Sequence, residues 1–260
     1  MTVPTLGIVG ASGRMGRALV RLAAQNGLRI VAAVGRDEVG RDAGELAGIA
    51  KLGVPIDAEA SAITRAAPQV VIEFASPEAT SDIAALAQAQ GFALVSGTTG
   101  LTPQALQDLD AAAKKVPVLW EPNMSIGVHV LTQLVAQASR ALAAFDIEIV
   151  ETHHNQKADA PSGTALRLAE AAASGRDAHQ FVYGREGRPG ARKSQEIGVL
   201  AVRGGDVIGD HSVHLFGAGE RLELSHRASS RDLFAHGALR SARWLVGQPA
   251  GRYGLQHVIA

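Results

Sequence analysis

The 260-residue sequence predicts an α/β protein, with a doubly wound parallel sheet first and an α+β domain with an open mixed sheet second. Two observations lead to this prediction. Up to about residue 120, short apolar runs alternate with alanine-rich helical stretches, which is typical of parallel strands covered on both faces. Beyond about residue 125, strand-like runs follow one another and are joined by glycine-containing turns. We therefore expect a domain boundary near residue 125.

The first half predicts strands at the apolar runs and helices between several of them. The expected strands are 6–9, 29–34, 69–74, 92–95 and 116–120, and the expected helices are 18–24, 80–90 and 103–113. Residues 40–60 fit this alternation less well, and we expect a loop with a short helix there.

The second half predicts two helices and a run of strands before a closing helix. Helices are expected at 131–145, 165–174 and 232–246, the last capped by Ser229 or Ser230. Strands are expected at 146–152, 196–202, 207–216 and 222–226. The turn signals Arg203-Gly-Gly-Asp206 and Gly217-Ala-Gly-Glu220 are short enough to predict hairpins.

Composition excludes several classes of protein. A hydrophobic content of 47% with 19% charged residues excludes a disordered chain. Lysine plus arginine and aspartate plus glutamate both total 25, so no overall charge attracts nucleic acid or a membrane surface. The absence of cysteine excludes disulfides, thiolate catalysis and iron–sulfur clusters. With neither a basic leader nor a membrane-length apolar run, the expected location is the cytoplasm.

The first expected strand ends in a glycine-rich turn, Gly10-Ala-Ser-Gly13-Arg-Met-Gly16, and a helix follows at once. Glycines at such a turn let the backbone approach a pyrophosphate at the helix N-terminus. The spacing is GxxGxxG rather than GxGxxG, but the motif lies at the first strand, first turn and first helix. The first domain is therefore predicted to be Rossmann-like and to bind a dinucleotide.

Three further strand ends are expected to line the same crevice. The second strand ends at Gly35-Arg36-Asp37, where Arg36 suits the 2′-phosphate of NADP and no acid stands at position 35. The predicted cofactor is NADPH and/or NADH, with NADPH used at least as well. The turns Gly97-Thr-Thr-Gly100 and Glu121-Pro-Asn-Met-Ser125 follow the next strands. Either is equally well explained as ordinary turn chemistry.

The run 151–165 combines groups that bind anions with groups that carry protons. His153, His154 and Lys157 follow a strand-like segment, and Ser162 is a credible N-cap for the next helix. Backbone N–H groups at that helix end, at Gly163 and Thr164, suit a carboxylate or phosphate. The run therefore predicts a site for an anionic substrate that also needs a proton.

Three alternatives remain open on the residues alone. Five histidines could serve a metal hydrolase, but no HExxH or matching carboxylate spacing accompanies them, so no metal is expected. A nucleotide sensor without catalysis, or a dehydrogenase for another substrate on the same fold, is compatible with the same motifs.

In this order the motifs resemble those of the 4-hydroxy-tetrahydrodipicolinate reductase (dihydrodipicolinate reductase) family, over nearly the whole chain. The most specific of them is His153-His154-x-x-Lys157-x-Asp159-Ala-Pro-Ser-Gly-Thr-Ala165. The resemblance also rests on the Gly10 turn, Asp42-Ala-Gly-Glu45, Gly97-Thr-Thr-Gly100, Pro122-Asn-Met-Ser125, Arg203-Gly-Gly-Asp206, Ser229-Ser-Arg231 and the closing helix.

The resemblance implies two domains and a homotetramer. The dinucleotide-binding domain would comprise 1–125 and be joined by the C-terminal helix, about 230–260. The substrate-binding and oligomerisation domain would comprise 126–229. The implied substrate is a small cyclic dicarboxylate, 4-hydroxy-tetrahydrodipicolinate, reduced to tetrahydrodipicolinate with loss of water in diaminopimelate and lysine biosynthesis.

The resemblance also implies a role for each site residue. His153 and Lys157 fall on the catalytic positions, and which of them delivers the proton stays open. The substrate-binding positions are His154, Ser162, Gly163 and Thr164. The cofactor-binding positions are Gly10, Ala11, Ser12, Gly13, Arg14, Met15, Arg36, Gly97, Thr98, Thr99, Glu121, Pro122, Asn123 and Met124. The chain departs from the family pattern at Gly35, at Glu121 and at His129, which bears on cofactor contacts.

Overall fold

The computed structural model describes residues 3–176 and 179–260. Its strands are β1 Thr5–Val9, β2 Arg29–Val34, β3 Ile56–Asp57, β4 Val70–Glu73, β5 Ala93–Ser96, β6 Pro117–Trp120, β7 Asp146–His153, β8 Gln180–Val182, β9 Glu196–Arg203, β10 Asp210–Gly217, β11 Glu220–Arg227 and β12 Gly251–Tyr253. Its helices are α1 Arg14–Gln25, α2 Ala43–Leu46, α3 Ser61–Ala66, α4 Pro77–Gln90, α5 Pro103–Ala113, α6 Ile126–Ala141, α7 Gly163–Ala173, α8 Asp232–Leu245 and α9 Leu255–Val258.

The chain forms two compact units. Unit 1 comprises Met1–Ser125 with Asp232–Ala260, and unit 2 comprises Ile126–Arg231. None of the helices in the described ranges is both long and apolar enough to cross a membrane.

Unit 1 is built on a seven-stranded sheet in the order β12-β6-β5-β4-β1-β2-β3. Every neighbouring pair in it is parallel. The chain runs outward from β1 to β3 and then returns to β4 on the other side of β1. This reversal creates the crevice at the carboxyl ends of the strands where such sheets bind ligands. The predicted doubly wound parallel sheet is confirmed.

Several helices of unit 1 begin earlier than their apolar pattern suggested, because their caps precede the apolar residues. α1 begins at Arg14 after Gly13, and α4 begins at Pro77, where Ser76 Oγ accepts from the Ala79 N–H. The expected loop over 40–60 contains α2 and also the short strand β3. The end of the chain differs from the prediction, because β12 and α9 follow α8 and β12 extends the sheet beside β6.

Unit 2 is built on a five-stranded mixed sheet in the order β11-β10-β7-β9-β8. β10 is antiparallel to β7 and β11, whereas β9 is parallel to β7 and β8. Alternate residues of β7, β9 and β10 enter one apolar core with α6 and α7, and Ile147, Ile149 and Val213 are fully buried there. The predicted open mixed sheet with helices on one face is confirmed.

One predicted hairpin is wrong. β9 and β10 are not neighbours, since β7 lies between them. The segment that joins them pairs instead with the end of β7, as the Gly204 N–H donates to the His153 carbonyl and the His154 N–H donates to the Val207 carbonyl. It has to cross about 10 Å, two strand spacings, which a two-residue turn does not span. The second predicted hairpin, between β10 and β11, is confirmed by the pairing of Gly217 with Glu220.

Candidate active site

The glycine-rich turn of unit 1 has the shape of a dinucleotide cradle. Gly10 has a φ of 82°, and a Cβ there would lie 2.2 Å from the Phe74 carbonyl oxygen. A Cβ on Gly16 would lie 2.1 Å from the Gly10 carbonyl oxygen. Helix α1 begins at Arg14, and its N-cap residue Gly13 provides no side-chain cap. The backbone of this glycine turn is therefore little covered by side chains and lies at the positive N-terminal end of α1. Such an arrangement fits a pyrophosphate.

The other predicted cofactor positions lie along the same edge of the sheet. β1, β2, β4, β5 and β6 are in register at their carboxyl ends, so the loops after them form one row. Gly97 is packed beneath the Phe74 ring, since a Cβ on Gly97 would lie 2.1 Å from the ring. Thr98 is buried and Thr99 is exposed at the same turn.

A buried carboxylate supports this turn. Glu73 is fully buried at the end of β4 and accepts hydrogen bonds from Thr98 Oγ1 at 2.5 Å and Ser96 Oγ at 2.7 Å. It also accepts from Thr80 Oγ1 at 2.9 Å and from the Ala75 N–H at 2.6 Å. The Trp120 indole N–H donates to the Thr98 carbonyl at 2.9 Å. Thr98 is thus fixed through both its side chain and its backbone.

Two predicted cofactor residues direct their side chains elsewhere. The Glu121 carboxylate accepts from the Leu255 N–H at 3.3 Å, at the start of α9. Met124 is 1% exposed, and its carbonyl lies 1.8 Å from where a Cβ on Gly237 would stand. The Met124 Cβ lies 3.5 Å from the same position, so Met124 is packed against α8.

A cleft of about 490 Å³ opens beside the glycine turn. Gly10, Ser12 and Gly13 line one side, and Arg36 lies exposed at its rim. A Cβ on Gly35 would lie 2.6 Å from Ser12 Oγ, so an acidic side chain there would displace Ser12. The lining also contains four carboxylates, those of Asp37, Glu59, Glu78 and Asp82.

In unit 2, His153 is held by a fully buried carboxylate. At the end of β7, His153 Nδ1 lies 2.6 Å from Glu151 Oε2. Arg203 of β9 donates two hydrogen bonds of 2.7 and 2.8 Å to the same carboxylate, and the Ser162 N–H donates to it at 2.9 Å. Burial alone would raise the pKa of Glu151, but these hydrogen bonds outweigh it and the pKa is lowered. Glu151 is therefore a carboxylate, and His153 Nδ1–H is its donor.

Lys157 lies in the loop after β7, close to the same group. Its ammonium donates to both carboxylate oxygens of Asp159, at 2.7 and 2.9 Å. The hydrogen bond from Lys157 is the main reason that the pKa of Asp159 is lowered. Arg203 Nη2 donates to the Asp159 carbonyl at 2.6 Å, so the loop is attached to the Glu151 group. His154 is half-buried beside this loop.

Helix α7 begins where the sequence predicted an anion-binding end. Ser162 caps it by accepting from the Ala165 N–H at 3.2 Å, which confirms the predicted N-cap. Gly163 is exposed, and a Cβ there would meet nothing within 4 Å. The structure brings the histidines, Lys157 and this helix end together in unit 2.

The sequence reasoning missed His211 and Gly209. His211 Nε2 lies 3.1 Å from Ser162 Oγ, and its ring is edge-on to His153 at 5.2 Å between centroids. Burial lowers the pKa of His211 to about 4, so the ring is neutral at neutral pH. A Cβ on Gly209 would lie 2.9 Å from His153 Nε2, so Gly209 leaves room for the His153 ring. Within the described residues, no group of three or more potential ligands is arranged to hold a metal ion.

Glu151 and Arg203 were also missed as partners. Arg203 stood in a recognised motif, but only its pairing with a carboxylate 52 residues away shows its place in the site. The alternation of β7 could have indicated the role of Glu151, because it places a charged residue on the buried face with Ile147 and Ile149.

Comparison with known proteins agrees with this geometry. Residues 5–124 match the family model described as dihydrodipicolinate reductase, N-terminus, and residues 127–259 match the corresponding C-terminus model. A 4-hydroxy-tetrahydrodipicolinate reductase of Alkalilimnicola ehrlichii is 49% identical over 98% of both chains. One of Anaeromyxobacter sp. is 51% identical over 97% of this chain and 96% of the relative.

Among solved structures, a dipicolinate-bound dihydrodipicolinate reductase from Paenisporosarcina sp. TG-14 superposes with a TM-score of 0.78 and 26% identity, over 97% of this chain and 98% of that one. An NAD complex of GenD2 from gentamicin A biosynthesis shares the fold alone, with a TM-score of 0.60 and 16% identity over 95% of this chain and 86% of that one. Both halves match in the expected order and over nearly full length, so the chain belongs to the dihydrodipicolinate reductase family.

Proposed function

We propose that this chain reduces 4-hydroxy-tetrahydrodipicolinate to tetrahydrodipicolinate with a reduced nicotinamide dinucleotide, in diaminopimelate and lysine biosynthesis. One hydride and one proton enter the ring, and the hydroxyl group leaves as water together with one ring hydrogen. The observation that carries the proposal is the group in unit 2, where a carboxylate-held His153, the ammonium of Lys157 and the start of α7 converge. Relatives about half identical over nearly the whole chain bear the name of this activity.

Unit 2 offers a binding site for one substrate carboxylate. The start of α7, where Gly163 is exposed and Thr164 half-buried, presents the positive end of the helix dipole. Lys157 and His154 would add charge-assisted hydrogen bonds, which are the strong ones for carboxylates. Ser162 contributes by fixing the helix end through its cap.

Two residues are the proposed candidates for delivering the proton. Glu151 engages His153 Nδ1, so any proton that His153 transfers to substrate moves through Nε2. Lys157 carries an ammonium that must shift from Asp159 to reach a ligand. We propose that one of these two protonates the ring and that the other binds the substrate carboxylate.

Unit 1 would hold the dinucleotide. The cradle at Gly10 and Gly16, which a Cβ would fill, fits a pyrophosphate, with Ala11, Ser12, Gly13, Arg14 and Met15 forming the turn. Thr98, fixed by Glu73, and its neighbours Gly97 and Thr99 would position the nicotinamide end together with the backbone of 121–124. When bound, the reduced nicotinamide supplies the hydride.

We propose that NADPH serves at least as well as NADH. Gly35 offers no carboxylate to a ribose 2′-hydroxyl, and Arg36 at the rim can meet a 2′-phosphate. The four carboxylates in the same cleft oppose that phosphate, so the preference should be modest. A kcat/KM for NADH more than tenfold above that for NADPH would contradict the assignment.

A coupled assay tests the proposed reaction. A synthase generates the unstable substrate from pyruvate and aspartate semialdehyde, and NADPH absorbance is followed after the purified chain is added. We expect NADPH loss that requires both the synthase and this chain. NADPH binding without turnover would favour a nucleotide sensor, and turnover only with an unrelated substrate would favour another dehydrogenase.

We also propose a homotetramer that forms through the open face of the unit 2 sheet. Val150, Leu200, Val202 and Phe216 lie on the face opposite α6 and α7, and Val202 and Phe216 are 47% and 38% exposed. Val150, Leu200 and Val202 are neighbours on this face, and Phe216 lies toward its other end. Exposed apolar side chains on a sheet face indicate a partner, here a second copy of the chain. Light scattering should give about four times the 26.9 kDa chain mass, and Val202→Lys should reduce it.

A further inference from the structure

We propose that Glu151 and Arg203 are positioning residues that orient His153 and tune its charge, while also fixing the Lys157 loop and the start of α7. This inference deepens the proposed function, because it concerns the same acid–base site. It rests on one carboxylate that contacts three parts of the site at once.

The first contact orients the imidazole. Glu151 is an ion-paired carboxylate and therefore only accepts hydrogen bonds, so His153 must keep its proton on Nδ1, 2.6 Å away. Nε2 is then the nitrogen that gains or loses a proton. Gly209 leaves room beside Nε2, since any Cβ there would lie 2.9 Å from it.

The second and third contacts tie the substrate-binding elements to that imidazole. Glu151 Oε1 accepts from the Ser162 N–H at 2.9 Å, directly before α7 begins. Arg203 Nη2 bonds both Glu151 Oε1 and the Asp159 carbonyl, at 2.8 and 2.6 Å. Movement of Glu151 would therefore displace the ring, the helix end and the Lys157 loop together.

Arg203 also balances the charge that His153 experiences. The Glu151 carboxylate is fully buried and would by itself favour the imidazolium form of His153. The Arg203 guanidinium, 2.7 Å from the same carboxylate, opposes this. Other titratable groups near the ring include His211, neutral because burial lowers its pKa, and the mutually paired Lys157 and Asp159. The Glu151–Arg203 pair thus sets the charge balance at His153.

Opposite shifts in two variants test the charge balance. In Glu151→Gln, the remaining guanidinium disfavours the imidazolium, so the titration midpoint of His153 measured by histidine-ring NMR should fall by about one unit. In Arg203→Met, the remaining Glu151 carboxylate favours the imidazolium, so the titration midpoint of His153 should rise by about one unit. The His153 signal is assigned by its loss in His153→Gln.

The chain provides a matched control. Arg185 donates two hydrogen bonds of 3.0 and 2.9 Å to Glu148 in the same unit, a second bidentate arginine–carboxylate pair, in which Arg185 also bonds Glu196. Arg185→Met should leave the His153 midpoint unchanged. A general effect of losing an ion pair would move it in the control as well.

A double variant covers the case in which a lone buried charge prevents folding. Glu151→Gln with Arg203→Met replaces an ion pair by a neutral pair, which such sites often tolerate. Its His153 midpoint should return to within about half a unit of the parent protein. Midpoints that stay fixed in all of these variants, or that move in one direction only, would overturn the inference.

Kinetics separate this inference from the proposed function. If the parent protein reduces the substrate, Glu151→Gln should lower kcat at least tenfold and leave NADPH affinity unchanged. If the parent protein shows no reductase activity but the midpoints move as stated, the positioning inference holds and the proposed substrate is wrong. If the parent protein is an active reductase but the His153 midpoints do not move, the proposed substrate is right and the positioning inference is wrong.

Discussion

Thr98 donates its hydroxyl hydrogen bond to the fully buried carboxylate of Glu73, 2.5 Å away, across adjacent strands of the unit 1 sheet. Three further donors, from Thr80, Ser96 and the Ala75 backbone, complete the coordination of that carboxylate. Hydrogen bonds that satisfy a buried polar group matter for stability, because leaving such a group unsatisfied is costly. The turn proposed to receive the nicotinamide is therefore fixed by hydrogen bonds to the buried Glu73 side chain.

Glu73→Gln should weaken dinucleotide binding. An amide has one accepting oxygen, and its NH₂ group faces hydroxyls that already point toward position 73, so the Thr98 turn should loosen. We expect the NADPH dissociation constant to rise about tenfold, which corresponds to about 1.4 kcal/mol. Calorimetric titration measures this. Glu45→Gln, the same substitution at an exposed carboxylate of α2, is the control and should bind as the parent does. Unaltered affinity in a folded Glu73→Gln protein would refute the supporting role.

Lys157→Ala should lower kcat by about two to four orders of magnitude, the range for loss of general acid catalysis. NADPH affinity should be unchanged, because the dinucleotide cradle lies in unit 1. Steady-state kinetics with the coupled assay measure both, and Lys193→Ala, at an exposed lysine of the same unit, is the control.

The same variant discriminates between the two proton donors. If His153 delivers the proton and Lys157 only binds the carboxylate, Lys157→Ala should mainly raise the KM for the substrate and keep kcat within about tenfold. A loss of NADPH binding comparable with the loss of activity would show that the placement of Lys157 in the substrate site is wrong.

Gly209→Ala should impair catalysis without impairing cofactor binding. The added Cβ would lie 2.9 Å from His153 Nε2, closer than non-bonded atoms approach, so the ring would have to move. We expect kcat to fall about tenfold or more, since small misplacements of an acid–base group are costly. Gly204→Ala in the same connecting segment is the matched control, because a Cβ there meets nothing within 4 Å. Equal activity of the two variants would contradict this account.

Acid should destabilise the fold partly through His211. Burial holds the folded-state pKa of His211 at about 4, below the ordinary 6.5 of an exposed histidine. Between these values the unfolded chain binds a proton that the folded chain does not, so stability falls as the pH is lowered through this window. Burial lowers the pKa of His226 as well, which acts in the same direction.

Urea unfolding measured between about pH 7 and pH 4 tests this. His211 should account for a loss of up to about 3 kcal/mol, at about 1.4 kcal/mol per pKa unit. His211→Gln should reduce the pH dependence, whereas His236→Gln, at an exposed histidine of α8, should preserve it. An unchanged pH dependence in His211→Gln would show that the buried ring is not responsible.

Much of the fold could be predicted because local patterns determine it. β2 and α5 have the predicted bounds, since both begin and end where the apolar pattern does. β12 was missed because three residues at the end of a chain give no periodicity, and only pairing with β6 makes them a strand. The hairpin at 203–206 was mispredicted because turn residues indicate a change of direction but not which strand lies alongside.

The candidate site was predictable only where its residues are close in sequence. His153, Lys157 and Ser162 fall within one short run, so their spacing pointed to a shared site. Arg203 reaches Glu151 from another strand, and Thr98 reaches Glu73 from the turn after the neighbouring strand β5. No local pattern encodes such pairs, because sheet order creates them.

The central claim is that this chain transfers hydride to a cyclic dicarboxylate that loses water. The most direct test follows the substrate with NADPH deuterated at the transferred position and identifies the product by mass spectrometry. The account predicts one product per NADPH consumed, one oxygen lighter than the substrate and carrying one deuterium. A product that retains the oxygen, or that carries no deuterium, would contradict it.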